Sequence, residues 1–91
     1  MTRHVVKSWP WLFQPIKSDV KTHDLRDLND RDYKVGDEML LREFDPRNGQ
    51  YTGDQCLVRI TYMTDRRTPC AMSSTGLANN LAVLSIRRID E

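Results

Sequence analysis

The run Gln55-Cys-Leu-Val-Arg-Ile-Thr-Tyr-Met-Thr64 carries the clearest strand signal in the chain. Cys56, Val58, Ile60 and Tyr62 alternate with Leu57, Arg59, Thr61 and Met63, a period of two rich in β-branched and aromatic residues. This strand is expected to lie centrally. On that alternation Tyr62 shares the Val58 and Ile60 face and packs in the core with its hydroxyl near the rim.

Working outward, Asp45-Pro-Arg-Asn-Gly49 is dense in turn residues, and its asparagine-glycine pair reaches positive φ at little cost, which predicts a chain reversal and a hairpin. Before it, Glu38 to Phe44 alternates Met39, Leu41 and Glu43 with Leu40, Arg42 and Phe44. The face carrying Leu40 and Phe44 is expected in the core. Val35-Gly36-Asp37 reads as a tight turn. On the other side, Asp65 to Asn80 has no sustained period and contains Pro69 and Gly76, so it is a long connection with room for one helical turn. Leu81 to Ile89 closes the pattern as a strand, with Ala82, Leu84 and Ile86 opposite Val83, Ser85 and Arg87.

The N-terminal part is mixed. Thr2 to Lys7, with Val5-Val6, is a short strand candidate. Ser8 is a plausible N-cap for a helix with Trp9, Leu12, Phe13 and Ile16 as its apolar stripe, Pro10 in the first turn and Pro15 disturbing its end. Trp11 falls off that stripe, where an indole either packs on a neighbouring loop or offers a stacking or partner surface. Lys21 to Arg26 alternates Thr22, Asp24 and Arg26 against Lys21, His23 and Leu25, a further strand, and Asp27 to Tyr33 is a turn-prone loop. The element order predicts an α+β fold, a small curved or barrel-like sheet with one or two short helices and one helix over an end, in a single domain spanning 1–91.

Composition limits function. Fourteen basic residues against thirteen acids give a net charge of +1, so the chain as a whole does not attract polyanions and any nucleic-acid contact needs local clustering. No apolar run approaches the ~20 residues of a membrane span, which predicts a soluble protein without membrane contact. Cys56 and Cys70 are far apart and the N-terminus lacks signal character, pointing to free thiols and a cytoplasmic location. No two of His4, His23, Cys56 and Cys70 have ligand spacing, so they read as surface histidines and buried thiols. No metal or cofactor is expected.

The chemistry concentrates between Lys21 and Arg31. Lys21 offers a compact charge, Arg26 a planar fork for a phosphate or a base, and Asp24 a carboxylate that either accepts from a base or orients Arg26. With Asn29 and Arg31 these form the candidate ligand site. The competing reading is an internal ion pair between Asp24 and Arg26 or Arg31 without a ligand. If Arg26 instead projects into a solvated cleft, its removal should change stability by no more than about 0.5 kcal/mol. Trp11, Arg66 and Arg67 are candidates for an accessory surface, with Arg87-Arg88 a further basic pair, and Tyr33 and Tyr51 could stack bases.

Lys21-Thr-His-Asp-Leu-Arg26 resembles the Gly-x-Lys-x-x-Glu-x-Arg signature of the ASCH superfamily, whose members share a PUA-like β-barrel. Asn29 to Asp37, the Arg42-Glu43 pair and Tyr51-Thr-Gly53 resemble, more narrowly, one ASCH-like family of small domains of unknown function from phages, plasmids and bacteria. The resemblance runs from about Trp9 to Ile86. It departs at Asp19, where the signature has glycine, and at Asp24, one methylene shorter than the signature's glutamate. The resemblance implies a cleft beside the barrel that binds RNA or a modified nucleobase, in a phage or mobile-element product acting as a monomer in the bacterial host cytoplasm. Alternatively, a phage accessory protein of this size would bind a host or defence protein, with Trp11 as contact. Some ASCH-like proteins are amidohydrolases on acylated cytidine, using a lysine, a threonine and a glutamate. Lys21 fits the lysine, but Asp24 stands where the resemblance puts the threonine nucleophile and Thr22 alternates to the face opposite Lys21, which argues against an enzyme.

Overall fold

A computed structural model describes residues 1–89, so the last two positions of the expected 1–91 domain lie outside the described residues. The order is β1 (Arg3–Ser8), α1 (Pro10–Lys17), β2 (His23–Asp27), β3 (Glu38–Asp45), β4 (Gln50–Thr64), α2 (Ser73–Gly76) and β5 (Leu81–Arg88). All five strands form one sheet in the order β1-β3-β4-β5-β2, an α+β fold with β4 at its centre. The β1–β3 pair is parallel and the other pairs are antiparallel.

This order leaves β1 and β2 at the two edges. Four inter-strand spacings of about 4.8 Å would hold the edges of a flat sheet roughly 19 Å apart. One side chain nevertheless spans them: Arg26 on β2 donates from Nη2 to the Lys7 carbonyl on β1 at 3.1 Å. The sheet is accordingly curled into a half-barrel, and its two edges face one seam. Phe13 and Ile16 of α1 fill the concave side with Val6, Tyr33, Met39, Leu41, Cys56, Val58, Ile60, Met63, Ala82, Leu84 and Ile86.

Several expected faces are reversed, each for a local reason. On β3 the buried side chains are Met39, Leu41 and Glu43, while Leu40 and Phe44 lie half-buried on the outer side. Apolar residues occupy both phases of this strand, and the charge that marked the wrong face as outer is Glu43. Its carboxylate accepts from Thr52 Oγ1 at 2.6 Å and Gln14 Nε2 at 2.8 Å, which lets it face inward. On β4 the pairing with β5 shifts register between Ile60 and Tyr62, a bulge that inverts the alternation. Met63 is therefore buried and Tyr62 exposed, the opposite of the expectation for Tyr62.

Ser8 is the buried last residue of β1, not a cap; Trp9 takes the N-cap position without a side-chain cap bond, followed by Pro10 as the first helical residue. Of the expected stripe only Phe13 and Ile16 are buried, and Trp9 and Leu12 are exposed. The helix ends at Lys17 with Ser18 as its C-cap; the next residue, Asp19, has a left-handed φ of 65°, and the following amides of Val20 and Lys21 donate to the Pro15 carbonyl. Asp19 stands where the resembled signature has glycine, the residue that tolerates this conformation best. The Gly36 turn (φ 96°), the Gly49 hairpin (φ 70°) and the single helical turn within 65–80 follow expectation.

Candidate nucleic-acid interface

Arg26 and Asp24 stand opposite Ala82 and Leu84 across the β2–β5 pairing, and so point to the inner side of the sheet at its open seam. Asp24 is buried, with 6% of its side chain exposed, between two cations that are each 19% exposed. Arg26 Nε donates to Asp24 Oδ2 at 2.8 Å, and Lys21 Nζ lies 3.6 Å from Oδ1. Lys21 precedes β2 and also donates to the His23 carbonyl at 2.6 Å, so it joins the cluster from outside the strand alternation. Arg26 is consequently not a free fork in a solvated cleft: Nε is bound to Asp24 and Nη2 to Lys7, while Nη1 makes no hydrogen bond among the described residues.

Two open hollows meet at this guanidinium. The first, about 360 Å³, is lined by Lys7, Arg26, Asp30, Arg31, Arg42 and Tyr51, with β1 residues as its floor. The second, about 320 Å³, is lined by Trp9, Leu12, Leu25, Asp24 and Arg26, with Lys7 and Ser8 between them. The parallel β1–β3 register sets Lys7 beside Arg42, and the β3–β4 hairpin sets Phe44 beside Tyr51. Lys7 Nζ sits 4.3 Å from the centre of the Phe44 ring, and the Arg42 guanidinium 4.0 Å from that of Tyr51. The two rings meet edge-on at 5.1 Å. Among the described residues neither Lys7 nor Arg42 forms an ion pair; aromatic faces hold both cations in place.

Arg31 lies in the cationic hollow, its Nε 3.5 Å from Asp30 Oδ2 and without a hydrogen bond among the described residues. Tyr33 lies behind, fully buried, its hydroxyl likewise without a hydrogen-bond partner among the described residues. Burial pushes its phenol above the ordinary range, against the opposing charges of Arg26 and Arg31. Tyr33 is thus a core residue and not a stacking platform.

The residues singled out from sequence divide. Lys21, Asp24 and Arg26 meet, and Arg31 joins Arg26 across the first hollow. Asn29 serves the turn, its amide donating to Asp27 Oδ1 at 2.8 Å. Trp11 is 51% exposed and leans on Trp9, 47% exposed, with ring centres 5.4 Å apart. Arg66 lines a separate hollow with Pro69 and Leu77, and Arg67 pairs with Asp65 at 3.2 Å. Arg88 pairs with Asp19 at 2.8 Å. Thr22 is exposed and gives its carbonyl to the Ile86 amide.

Lys7, Trp9 and Arg42 escaped sequence reasoning. Lys7 and Arg42 are distant in the chain and meet only through the parallel register, and Trp9 carried a helical period that assigned it to the core. A basic residue alternating with core positions on each of two strands was the available signal.

Two other expectations change. His4 is buried, its Nε2 2.8 Å from Asp37 Oδ2 and its ring 4.7 Å from that of Tyr33, because its β1 phase faces the core. Both cysteines are free, but only Cys56 is buried; Cys70 is exposed in the long connection, where its Sγ lies 3.2 Å from Ser73 Oγ. No helix among the described residues is long and apolar enough to cross a membrane.

Comparison with curated proteins gives no match. The family model described as Domain of unknown function (DUF3850) matches residues 3–86, which takes in four strands whole and β5 as far as Ile86, and the chain therefore belongs to that family.

Proposed function

We propose that this chain is a non-enzymatic recognition domain that binds RNA or a nucleotide through the groove at the seam of the half-barrel. The observation that carries the reading is the pair Lys7 and Arg42, held over Phe44 and Tyr51 and left without carboxylate partners among the described residues. With Arg26, paired to Asp24, and Arg31, beside Asp30, they set four cations around one hollow against two carboxylates, a local excess carried by Lys7 and Arg42 that the net charge of +1 conceals. Cations positioned by rings keep their charge available for a phosphate, whereas cations paired to carboxylates are already neutralised. Asp24 fixes the Arg26 guanidinium at the boundary of the two hollows, and Nη1 remains to donate to a ligand. The left-handed Asp19 at the signature's glycine position supports an ASCH-like origin for the same cleft.

Recognition is favoured over catalysis. Asp24 is enclosed by Arg26 and Lys21, and Lys21 is spent on Asp24 and the His23 carbonyl. The exposed Trp9 and Trp11 favour a second reading, a host or defence protein as partner.

The test is binding of RNA, DNA and nucleotides at low salt to the wild type, Lys7→Ala and Arg42→Ala. Both substitutions sit on the outer face and should change stability by less than about 1 kcal/mol. Binding that neutralises two or three phosphates of a single strand should weaken about tenfold between 50 and 200 mM salt, and Arg42→Ala should flatten that slope by about 0.7. Absence of any binding at low salt, or binding indifferent to both substitutions, would refute the proposal.

A further inference from the structure

The second hollow has a different chemistry from the first. Trp9, Leu12 and Leu25 give it an apolar wall, and all three are exposed although large and hydrophobic. Trp9 leans against Trp11 at 5.4 Å and a tilt of 46°, and it remains 47% exposed on the hollow it lines. Arg26 belongs to both hollows. A ligand lying across it would meet cations on one side and an aromatic face on the other, which matches the two halves of a nucleotide.

We infer that the Trp9 hollow seats one unpaired base of a nucleic-acid strand while the adjoining phosphate lies in the Lys7, Arg31 and Arg42 hollow, so that the domain selects single-stranded over duplex nucleic acid. This rests on the binding reading above. A duplex keeps the faces of its bases stacked inside, and a ring set in a concave hollow beside Arg26 can be reached only by a base turned out of the stack. Stacking on an aromatic ring contributes about 1–3 kcal/mol per base and tolerates any base, so the selection is for strandedness and not for sequence.

The chain has two tryptophans, Trp9 and Trp11, and tryptophan fluorescence, excited beyond the tyrosine absorption band, therefore reports on this corner of the molecule alone. The experiment titrates the full chain with a short RNA strand, the same sequence as DNA, its duplex, and inorganic polyphosphate as a base-free probe. Variants are Trp9→Ala, Trp9→Phe and Trp11→Ala. Trp9 makes no side-chain cap bond and is half exposed, so its replacement should leave the fold intact, which circular dichroism checks. The expected result is quenching by either single strand and at least tenfold weaker binding of the duplex. Trp9→Ala should lose roughly 5- to 150-fold in affinity for single strands and nothing for polyphosphate, with most of the affinity restored by phenylalanine. Equal affinity for strand and duplex, or single-strand affinity unmoved by Trp9→Ala, overturns this inference while leaving the phosphate groove standing. If neither strand, duplex nor polyphosphate binds, both proposals fall.

Discussion

Replacing Arg26 with alanine removes the cation that touches Asp24 and the strut that joins the two edges of the sheet. The Asp24 carboxylate has 6% of its side chain exposed and receives the Arg26 Nε at 2.8 Å, so the variant leaves a buried charge with only Lys21, 3.6 Å away, for compensation. Breaking a fully buried pair from one side costs about 3–5 kcal/mol. Arg26 is 19% exposed and Lys21 stays, which lowers the figure, while the lost bond to the Lys7 carbonyl adds about 1 kcal/mol. The net expectation is a loss of about 2–3 kcal/mol, a fall in melting temperature on the order of 10 °C for a domain of this size. Arg26→Lys should recover about half, since an ammonium cannot reach the carboxylate and the carbonyl with one planar fork. Asp24→Ala combined with Arg26→Ala should be less destabilised than the sum of the single variants, with a coupling of at least about 1 kcal/mol. Urea unfolding followed by circular dichroism on the wild type and these four variants measures this directly. A cost for Arg26→Ala within about 0.5 kcal/mol and no coupling would show that Asp24 is solvated and that the seam is not held by this pair.

Other outcomes follow from the same geometry. Phe13→Ala and Ile60→Ala, both at fully buried positions, should each cost about 2–5 kcal/mol in urea unfolding, and Tyr62→Ala, on the exposed side of the bulge, under about 1. Burial acts to raise Asp37 and Asp65, but for Asp37 the bonds from His4, Thr2 and Lys34, and for Asp65 those from Arg67 and Thr68, outweigh it and hold both below the ordinary carboxylate range. Their stabilisation is complete above about pH 4 and is lost as pH falls through the depressed folded values; unfolding midpoints should therefore drop steeply in acid, and Asp37→Asn should lower stability at neutral pH while flattening that drop. The Ser73 hydroxyl beside Cys70 pulls its thiol below the ordinary range, whereas burial pushes Cys56 up. Iodoacetamide should accordingly alkylate Cys70 in the folded protein and Cys56 only on unfolding, as mass spectrometry of the digested protein would reveal.

Much of the fold was legible because it rests on local signals. Turn chemistry at 45–49, the alternation of Ala82, Leu84 and Ile86, and the glycine before β3 each specify their element without reference to the rest of the chain. What misled was any signal that needed a partner. Met39 and Leu40 are equally apolar neighbours, and the choice between them depends on Thr52 and Gln14 satisfying Glu43, which no period reveals. Tyr62 was assigned by extrapolating a phase through a bulge. The site was half visible for the same reason: Lys21, Asp24, Arg26 and Arg31 lie close in sequence, whereas Lys7, Arg42 and Tyr51 reach the groove through the β1–β3 register and the β3–β4 hairpin.

The most direct measurement of the central claim is a backbone amide NMR titration of the folded protein with a short single-stranded RNA. Binding at the seam should confine chemical-shift changes to three stretches, residues 5–12, 24–31 and 42–51, because these contain the residues that line the two hollows meeting at Arg26. Changes concentrated in the 65–80 connection, or none at low salt with RNA in excess, would contradict it.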